Sequence, residues 1–195
     1  MGAMQHELPA RARIVAAARH LFSTLGFHQT AMSELNAEAN VSVGQIYRHF
    51  KGKADIILAI VQEDVDQRIA QMAQLRDQID SGAITIEAGM TALCQLALDE
   101  ENEALSFEIL AEGHRNPDVR STIGTLCLRY RRMLRDIAGA AHPGLSDAGL
   151  DASEELLLAC MFGLGHRSLS EPRLSPGETA RQTGRMLLGA LRALT

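Results

Sequence analysis

The segment from residue 30 to residue 58 constrains the fold most, because residues that end and start helices follow one another closely there. Asn40 stands where a chain can leave a helix in the left-handed conformation, which Asn tolerates better than most residues. Ser42 and Gln45 then have the spacing of a capping box, which predicts a new helix from Val43. The pattern indicates a helix-turn-helix, an arrangement that carries side chains into the DNA major groove.

Apolar residues recur at helical spacing along nearly the whole chain, whereas the alternation typical of strands is missing. We therefore predict an all-α fold of nine helices, with three in an N-terminal head and six in a following bundle. Cap signals place several of the helix starts, and the predicted N-caps are Thr30, Ser42, Asn116, Asp151 and Ser175.

The charge is unevenly distributed along the 195 residues. The whole chain carries a net charge of −5, but residues 1–53 hold six Lys and Arg against three Glu, a balance of +3. A basic head on an acidic body is consistent with local contact to phosphates. No apolar run reaches bilayer length and no leader segment is recognisable, so we expect a cytoplasmic protein that does not bind membranes.

The sequence offers little sign of catalysis. HExxH, GxSxG and P-loop motifs are missing, so we expect no enzyme, no cofactor and no metal. Cys94, Cys127 and Cys160 are odd in number and lack CxxC spacing, which argues against disulfides and zinc. Each is interpreted as a small buried apolar residue, with a redox-sensing thiol as the alternative.

Residues 11–60 resemble the TetR family of transcriptional regulators. The resemblance is carried by the segments Ile14–Phe22, Ala39–Gly44 and Ile46–Phe50, together with Lys53 at the start of the fourth helix. The body resembles the family more loosely, in the stretch 108–117. Two departures are Asn40, which replaces a common Gly, and Asn36, which must either find a partner or turn toward DNA.

The resemblance implies a domain organisation and a function. Residues 8–52 would form the helix-turn-helix DNA-binding domain, and residues 53–195 the effector-binding and dimerisation domain. The implied function is a ligand-responsive repressor that binds a palindromic operator as a homodimer and is released by a small hydrophobic effector. An architectural DNA-binding protein of the same fold, without the ligand switch, is the alternative.

The residues expected to contact DNA come from the head. Val43 suits a thymine methyl group and Gln45 suits adenine, although Gln45 has an alternative role in the capping box. Arg48 either contacts DNA or pairs with Glu38. The full expected set is Thr30, Ser42, Val43, Gly44, Gln45, Tyr47, Arg48, His49 and Lys53.

The effector pocket and the dimer interface are expected in the body. Glu108 and Glu112, one helical turn apart, would either meet a cationic ligand or pair with Arg129 or Arg132. The remaining pocket candidates can equally be plain core residues. The predicted pocket residues are Met90, Cys94, Phe107, Leu110, Glu112, His114, Tyr130, Met133, Met161 and Phe162. The last two helices are rich in apolar and small residues, and the predicted dimer interface comprises Leu157, Met161, Leu164, Leu187 and Leu191, with an intramolecular core as the alternative.

Overall fold

A computed structural model describes residues 8–98 and 103–194, and every regular element within them is a helix. This confirms the predicted all-α class. None of the described helices is both long and apolar enough to span a membrane. The α-helices are α1 (Ala10–Leu25), α2 (Met32–Ala39), α3 (Val43–His49), α4 (Lys53–Asp80), α5 (Ile86–Leu98), α6 (Glu103–Arg115), α7 (Pro117–Ala141), α8 (Asp147–Gly165) and α9 (Pro176–Arg192), and a short 3₁₀ turn follows α8 at Ser168–Ser170.

Serine side chains start three of these helices. The Oγ atoms of Ser42, Ser146 and Ser175 each accept a hydrogen bond from a backbone N–H three residues later. These bonds satisfy amide groups that the first helical turn leaves without a partner. The caps predicted at Ser42 and Ser175 are thereby confirmed.

Two predicted caps are wrong. Thr30 does not cap α2, because the residue before that helix is Ala31, whose N–H donates to the carboxylate of Glu34 at 2.7 Å. Asp151 lies inside α8 and forms an ion pair with Arg135, because the cap is Ser146, five residues earlier than predicted.

The first compact unit contains the described residues among Met1–Asp64 and Asn102–Thr125. Its core is centred on fully buried Phe22, Leu35 and Ile46, and it also includes Leu105 of α6. α1 packs against α2, α3 and α6 within this unit. The head therefore shares its core with a helix that the sequence assigned to the body. The functional boundary between residues 52 and 53 stays a prediction.

The second compact unit contains the described residues among Val65–Glu101 and Leu126–Thr195. Its core is formed by apolar side chains from α4, α5, α7, α8 and α9, among them Met72, Leu93, Leu134 and Leu157. α5 packs extensively against α9, and the Gly184 backbone approaches the backbone of residues 90 and 91 there. Glycine permits this approach because a side chain there would meet backbone atoms at 3.1–3.2 Å.

The three cysteines are free and at least partly buried. Burial raises the pKa of all three thiols, and that of Cys94 reaches about 12. A thiol with a raised pKa holds little of the reactive thiolate at neutral pH. This supports their interpretation as apolar core residues over the redox-sensing alternative.

The position of the α8 cap can be tested by two substitutions. We expect Ser146→Ala to lower the free energy of unfolding by about 1 kcal/mol, because it removes the side-chain acceptor at the helix start. Asp151→Ala should change it by less than about 0.5 kcal/mol, since an exposed ion pair contributes little. Urea denaturation followed by circular dichroism measures both, and a larger loss for Asp151→Ala would place the cap there.

Candidate nucleic-acid interface

Reciprocal hydrogen bonds fix the start of α3. The Ser42 Oγ accepts from the Gln45 N–H at 3.2 Å, and the Gln45 Oε1 accepts from the Ser42 N–H at 2.8 Å. Ile46 and Phe50 are buried in the core of the first unit and hold the other side of the helix. Because a seven-residue helix is not stable in isolation, these contacts determine both its existence and its orientation.

The turn before α3 has the geometry expected from the sequence. Asn40 adopts the left-handed conformation with φ 49° and ψ 55°, and its N–H bonds to carbonyls near the end of α2. The Val41 N–H bonds to the carbonyl of Asn36 in the same way. The replacement of a common Gly by Asn40 thus preserves the backbone path between the two helices.

The polar side chain of Asn36 finds partners within its own helix. With the amide nitrogen assigned as the donor, it lies 3.1 Å from the carbonyl oxygen of Met32 and 2.5 Å from that of Ser33. Bonding back to the preceding turn is common for short polar residues in helices. Of the two alternatives for Asn36, the structure supports an internal partner.

The outer face of α3 is exposed. The fractional exposure is 44% for Val43 and 56% for Tyr47, and Ser42, Gly44, Arg48 and His49 are also exposed. Gln45 is half-buried and uses its oxygen in the capping box. Arg48 has no ion-pair partner among the residues described, because Glu38 pairs with His20 at 3.1 Å instead. Seven of the nine residues expected to contact DNA therefore lie together at this helix. Among them, the Arg48 guanidinium is available to bind an anionic group.

Gly44 has no role in packing that its surroundings reveal. A Cβ atom at this position would meet only the Ser42 Oγ, at 4.0 Å, and the backbone is ordinary helix. Glycine in a helix is less stable than alanine by about 0.5–1 kcal/mol. The fold therefore gains nothing from Gly44, and its missing side chain leaves room on the outer face.

Thr30 is turned inward and not toward solvent. Its side chain is 1% exposed, and its Oγ1 donates to the carbonyls of Gly26 at 2.8 Å and Leu21 at 3.4 Å. The hydroxyl thus closes the turn between α1 and α2. This geometry corrects the expectation that the Thr30 side chain is available to a phosphate.

Lys53 is engaged with the same turn. Its Nζ donates to the carbonyl oxygens of Phe27, His28 and Thr30 at 2.7, 3.1 and 2.8 Å. Desolvation lowers the pKa of this ammonium, while the nearby carboxylates of Glu112 and Glu34 oppose that shift. Because the three bonds use all three ammonium hydrogens, Lys53 acts in this structure as a clasp between α4 and the turn.

Two carboxylates of α6 bind the other side of this turn, a role that the sequence did not reveal. The Glu108 Oε2 accepts from the Phe27 N–H at 3.0 Å. Glu112, whose side chain is 8% exposed, accepts from the Asn116 amide at 3.2 Å and lies 3.6 Å from the His28 Nε2. Their spacing of one helical turn marked them as a pair, but it gave no indication of the partner.

Pairing with Arg129 or Arg132 was the alternative expected for this carboxylate pair. Arg129 forms its ion pair with Asp66 at 2.7 Å. Glu108 instead accepts from the Phe27 N–H, and Glu112 accepts from the Asn116 amide, both within the first unit. The Glu112 side chain is thus engaged within the first unit, and its contact with a ligand stays a prediction.

The ten predicted pocket residues are divided between the two compact units. Phe107, Leu110, Glu112 and His114 belong to the first unit, and the other six belong to the second. Met90, Cys94 and Met161 are packed in the core of the second unit, whereas Phe162 and Phe107 are exposed. A groove of about 640 Å³ opens between α5 and α9, and none of the ten lines it.

The five residues predicted for the dimer interface are all buried within their own chain. Leu157, Met161, Leu164, Leu187 and Leu191 belong to the core of the second unit. Leu156 and Phe162 of α8 and Met186 of α9 are the exposed large apolar residues of these two helices. These five side chains thus pack within the chain, as the intramolecular alternative expects, and a dimer interface on α8 and α9 stays a prediction.

Known proteins similar to this chain include transcriptional regulators. The family model for bacterial regulatory proteins, tetR family, matches residues 14–60, from α1 to the first turns of α4. The HTH-type transcriptional regulator UidR of Escherichia coli (strain K12) is 35% identical over 171 residues, which cover 84% of this chain and 84% of UidR.

Solved structures resemble the chain over most of its length. Salmonella enterica GusR is 26% identical, with a TM-score of 0.67, and the match covers 94% of this chain and 97% of GusR. The transcriptional regulator FadR from Bacillus subtilis in complex with stearoyl-CoA has a TM-score of 0.73 at 19% identity, and the match covers 91% and 97% of the two chains. At that identity the FadR match establishes the fold alone.

The clasp formed by Lys53 can be tested through stability. We expect Lys53→Met to lower the free energy of unfolding by about 1–3 kcal/mol, because the carbonyls lose a charged donor. Arg48→Met removes the same charge from an exposed position and should change it by less than about 0.5 kcal/mol. Urea titrations compare the two variants, and equal effects would show that Lys53 has no structural role.

Proposed function

The chain belongs to the TetR family of bacterial regulatory proteins, and we propose that it is a repressor that binds a palindromic operator as a homodimer and is released by a small-molecule effector. The observation that carries this proposal is the exposed outer face of α3. Its residues protrude from a helix whose other side is fixed by a capping box and a packed core. Such a rigid support suits the reading of base edges in the major groove.

Five side chains of α3 have chemically suitable partners on DNA. Val43 fits a thymine methyl group. Gln45 retains its amide donors and one lone pair of its oxygen, so it can still pair with adenine while it caps the helix. Tyr47, Arg48 and His49 suit phosphate oxygens, which position the helix without reading sequence.

In our proposal, Thr30 and Lys53 do not contact DNA but stabilise the helix-turn-helix that does. Both end their hydrogen bonds on the turn between α1 and α2, which sets where α2 begins. Their substitution would therefore disturb DNA binding through the position of the helix-turn-helix. This assigns them as positioning residues and leaves the remaining seven as the proposed contact set.

A homodimer is proposed because one head contacts only half of a palindromic site. The exposed sides of α8 and α9 carry Leu156, Phe162 and Met186, which are costly to leave in water. Pairing of these sides between two copies would cover them. The proposed interface therefore consists of the exposed apolar residues and excludes the five core residues named earlier.

The effector step is proposed from the fold and from the contacts of α6. The similar FadR structure holds stearoyl-CoA, so a regulator of this fold can accommodate a hydrophobic ligand. In this chain, Glu108 and Glu112 tie α6 to the turn before α2. A ligand that binds better to a shifted α6 would move this turn and change the population of DNA-competent heads.

Gly44 provides a direct test of DNA contact. We expect Gly44→Ala to raise the free energy of unfolding by about 0.5–1 kcal/mol, because alanine favours the helix. It should nevertheless weaken operator binding by about tenfold or more, the value of one good base contact, because the methyl group obstructs approach to the base pairs. Fluorescence anisotropy measures binding to a duplex of about 30 bp, long enough for two half-sites one helical turn apart, that the wild-type protein selects from a random pool.

Gly124→Ala is the matched control for this experiment. Gly124 is an exposed glycine of α7, and a Cβ atom added there would meet nothing within 4 Å, so alanine should stabilise the fold equally and leave binding unchanged. Binding of the wild-type protein should also weaken as salt is raised. Selection of no duplex by the wild-type protein, or unaltered binding by Gly44→Ala, would contradict the proposal.

The proposed dimer can be tested on the exposed side of α8 and α9. We expect the double variant Phe162→Glu and Met186→Glu to sediment as a monomer, because the charges would be buried at the interface. Leu169→Glu places the same charge on another exposed leucine outside both helices and should remain a dimer. Sedimentation velocity distinguishes the species, and a double variant that remains dimeric would place the interface elsewhere.

A further inference from the structure

We propose that Arg13 of α1 is a positioning residue for operator recognition, which holds the turn between α2 and α3 at its left-handed residue. The inference rests on the proposed DNA-binding function. The Arg13 Nη1 donates to the carbonyl oxygen of Asn40 at 2.9 Å, across 27 positions of sequence. Arg13 thus connects the most deeply packed helix of the head directly to the turn that aims α3.

The backbone of Asn40 is hydrogen-bonded to two different helices, α2 and α1. The N–H groups of Asn40 and Val41 bond back to carbonyls of α2, as expected at the end of a helix. The Asn40 carbonyl oxygen accepts a hydrogen bond from Arg13 of α1. Because the left-handed conformation is less favourable for Asn than for glycine, a contact that fixes it at Asn40 also fixes the direction of the following chain.

The part of α1 that carries Arg13 is held firmly by packing. The next two residues, Ile14 and Val15, are buried in the core that also contains Leu35 of α2 and Ile46 of α3. A guanidinium extending from this part of α1 therefore has a fixed origin relative to both helices. Movement of the turn would have to break the bond to Asn40 or displace packed side chains.

The surroundings of Arg13 do not maximise the stability of the fold. Its Nε is buried and has no hydrogen-bond partner among the described residues, a state that destabilises a fold. A methionine would fill similar space without this unpaired N–H group. A local arrangement that sacrifices stability is more typical of functional positions than of plain core.

The other arginines of α1 are engaged differently. Arg11 pairs with Glu63, and Arg19 pairs with Asp64 and also donates to the carbonyl of Ile60. Arg13 contacts a backbone carbonyl of the helix-turn-helix itself. Arg19 therefore offers a matched control, since it carries the same charge on the same helix and also bonds to a carbonyl, but away from the turn.

The expected consequence is a loss of sequence discrimination. Contacts to base edges require an accurately placed α3, whereas phosphate contacts tolerate small displacements. Arg13→Met should weaken binding to the selected duplex by about tenfold, as expected for loss of a hydrogen bond from a charged donor. Binding to a scrambled duplex of equal composition should change by less than about twofold, and the salt dependence on both duplexes should stay as in the wild type.

The experiment compares wild-type, Arg13→Met and Arg19→Met proteins on both duplexes at several salt concentrations. Equal weakening on both duplexes, with a shallower salt dependence, would show that Arg13 contacts a phosphate and would overturn the proposal. Unchanged discrimination by Arg13→Met, or an equal loss by Arg19→Met, would also overturn it. If the wild-type protein selects no duplex, the proposed function itself fails, which is a separate outcome.

A second variant keeps the test decisive if Arg13→Met does not fold, as judged by circular dichroism. Arg13→Lys retains the charge but replaces the planar guanidinium by a single ammonium group. We expect it to lose part of the discrimination between the two duplexes and to keep the wild-type salt dependence. Full discrimination by a folded Arg13→Lys protein would contradict a need for the guanidinium bond.

Discussion

The exchange of hydrogen bonds between Ser42 and Gln45 is the interaction on which the proposed DNA-reading surface depends. α3 has only seven residues, and its first turn would otherwise leave backbone amide groups without partners. The bonds let the helix begin at Val43, and this start determines which residues face outward. Buried Ile46 on the opposite side then fixes the helix against the core of the first unit. Capping and packing thus act together on one short element.

Support for this element extends further along the chain than the sequence suggested. The turn between α1 and α2 is held by Thr30 from within, by Lys53 from α4 and by Glu108 from α6. Leu105 of α6 also joins the apolar core of the head. The helix-turn-helix is therefore embedded in a larger unit. A change at α6 reaches it through the bond of Glu108 to the Phe27 N–H and through buried Glu112 beside His28.

The sequence predicted local features well and the direction of side chains poorly. The capping box at Ser42 and the left-handed Asn40 follow from residues a few positions apart, so they could be read directly. The start of α8 was misplaced because Asp151 has the same local pattern as a true cap, and only the fold selects Ser146. Thr30 and Lys53 have groups that suit phosphates, but the path of residues 26–30 turns both inward. Leu157 and Leu156 are chemically identical, and only packing decides which is buried.

The hydrogen-bond acceptors of Lys53 have a consequence for how the sequence of the turn between α1 and α2 can change in evolution. All three are backbone carbonyls, at Phe27, His28 and Thr30, and every amino acid carries such a group. Glu108 likewise binds a backbone N–H. The side chain at an exposed position such as Gln29 can therefore be exchanged without removing these bonds. Evolutionary drift at these exposed positions is compatible with a constant backbone path, so variable residues here would not signal a dispensable segment.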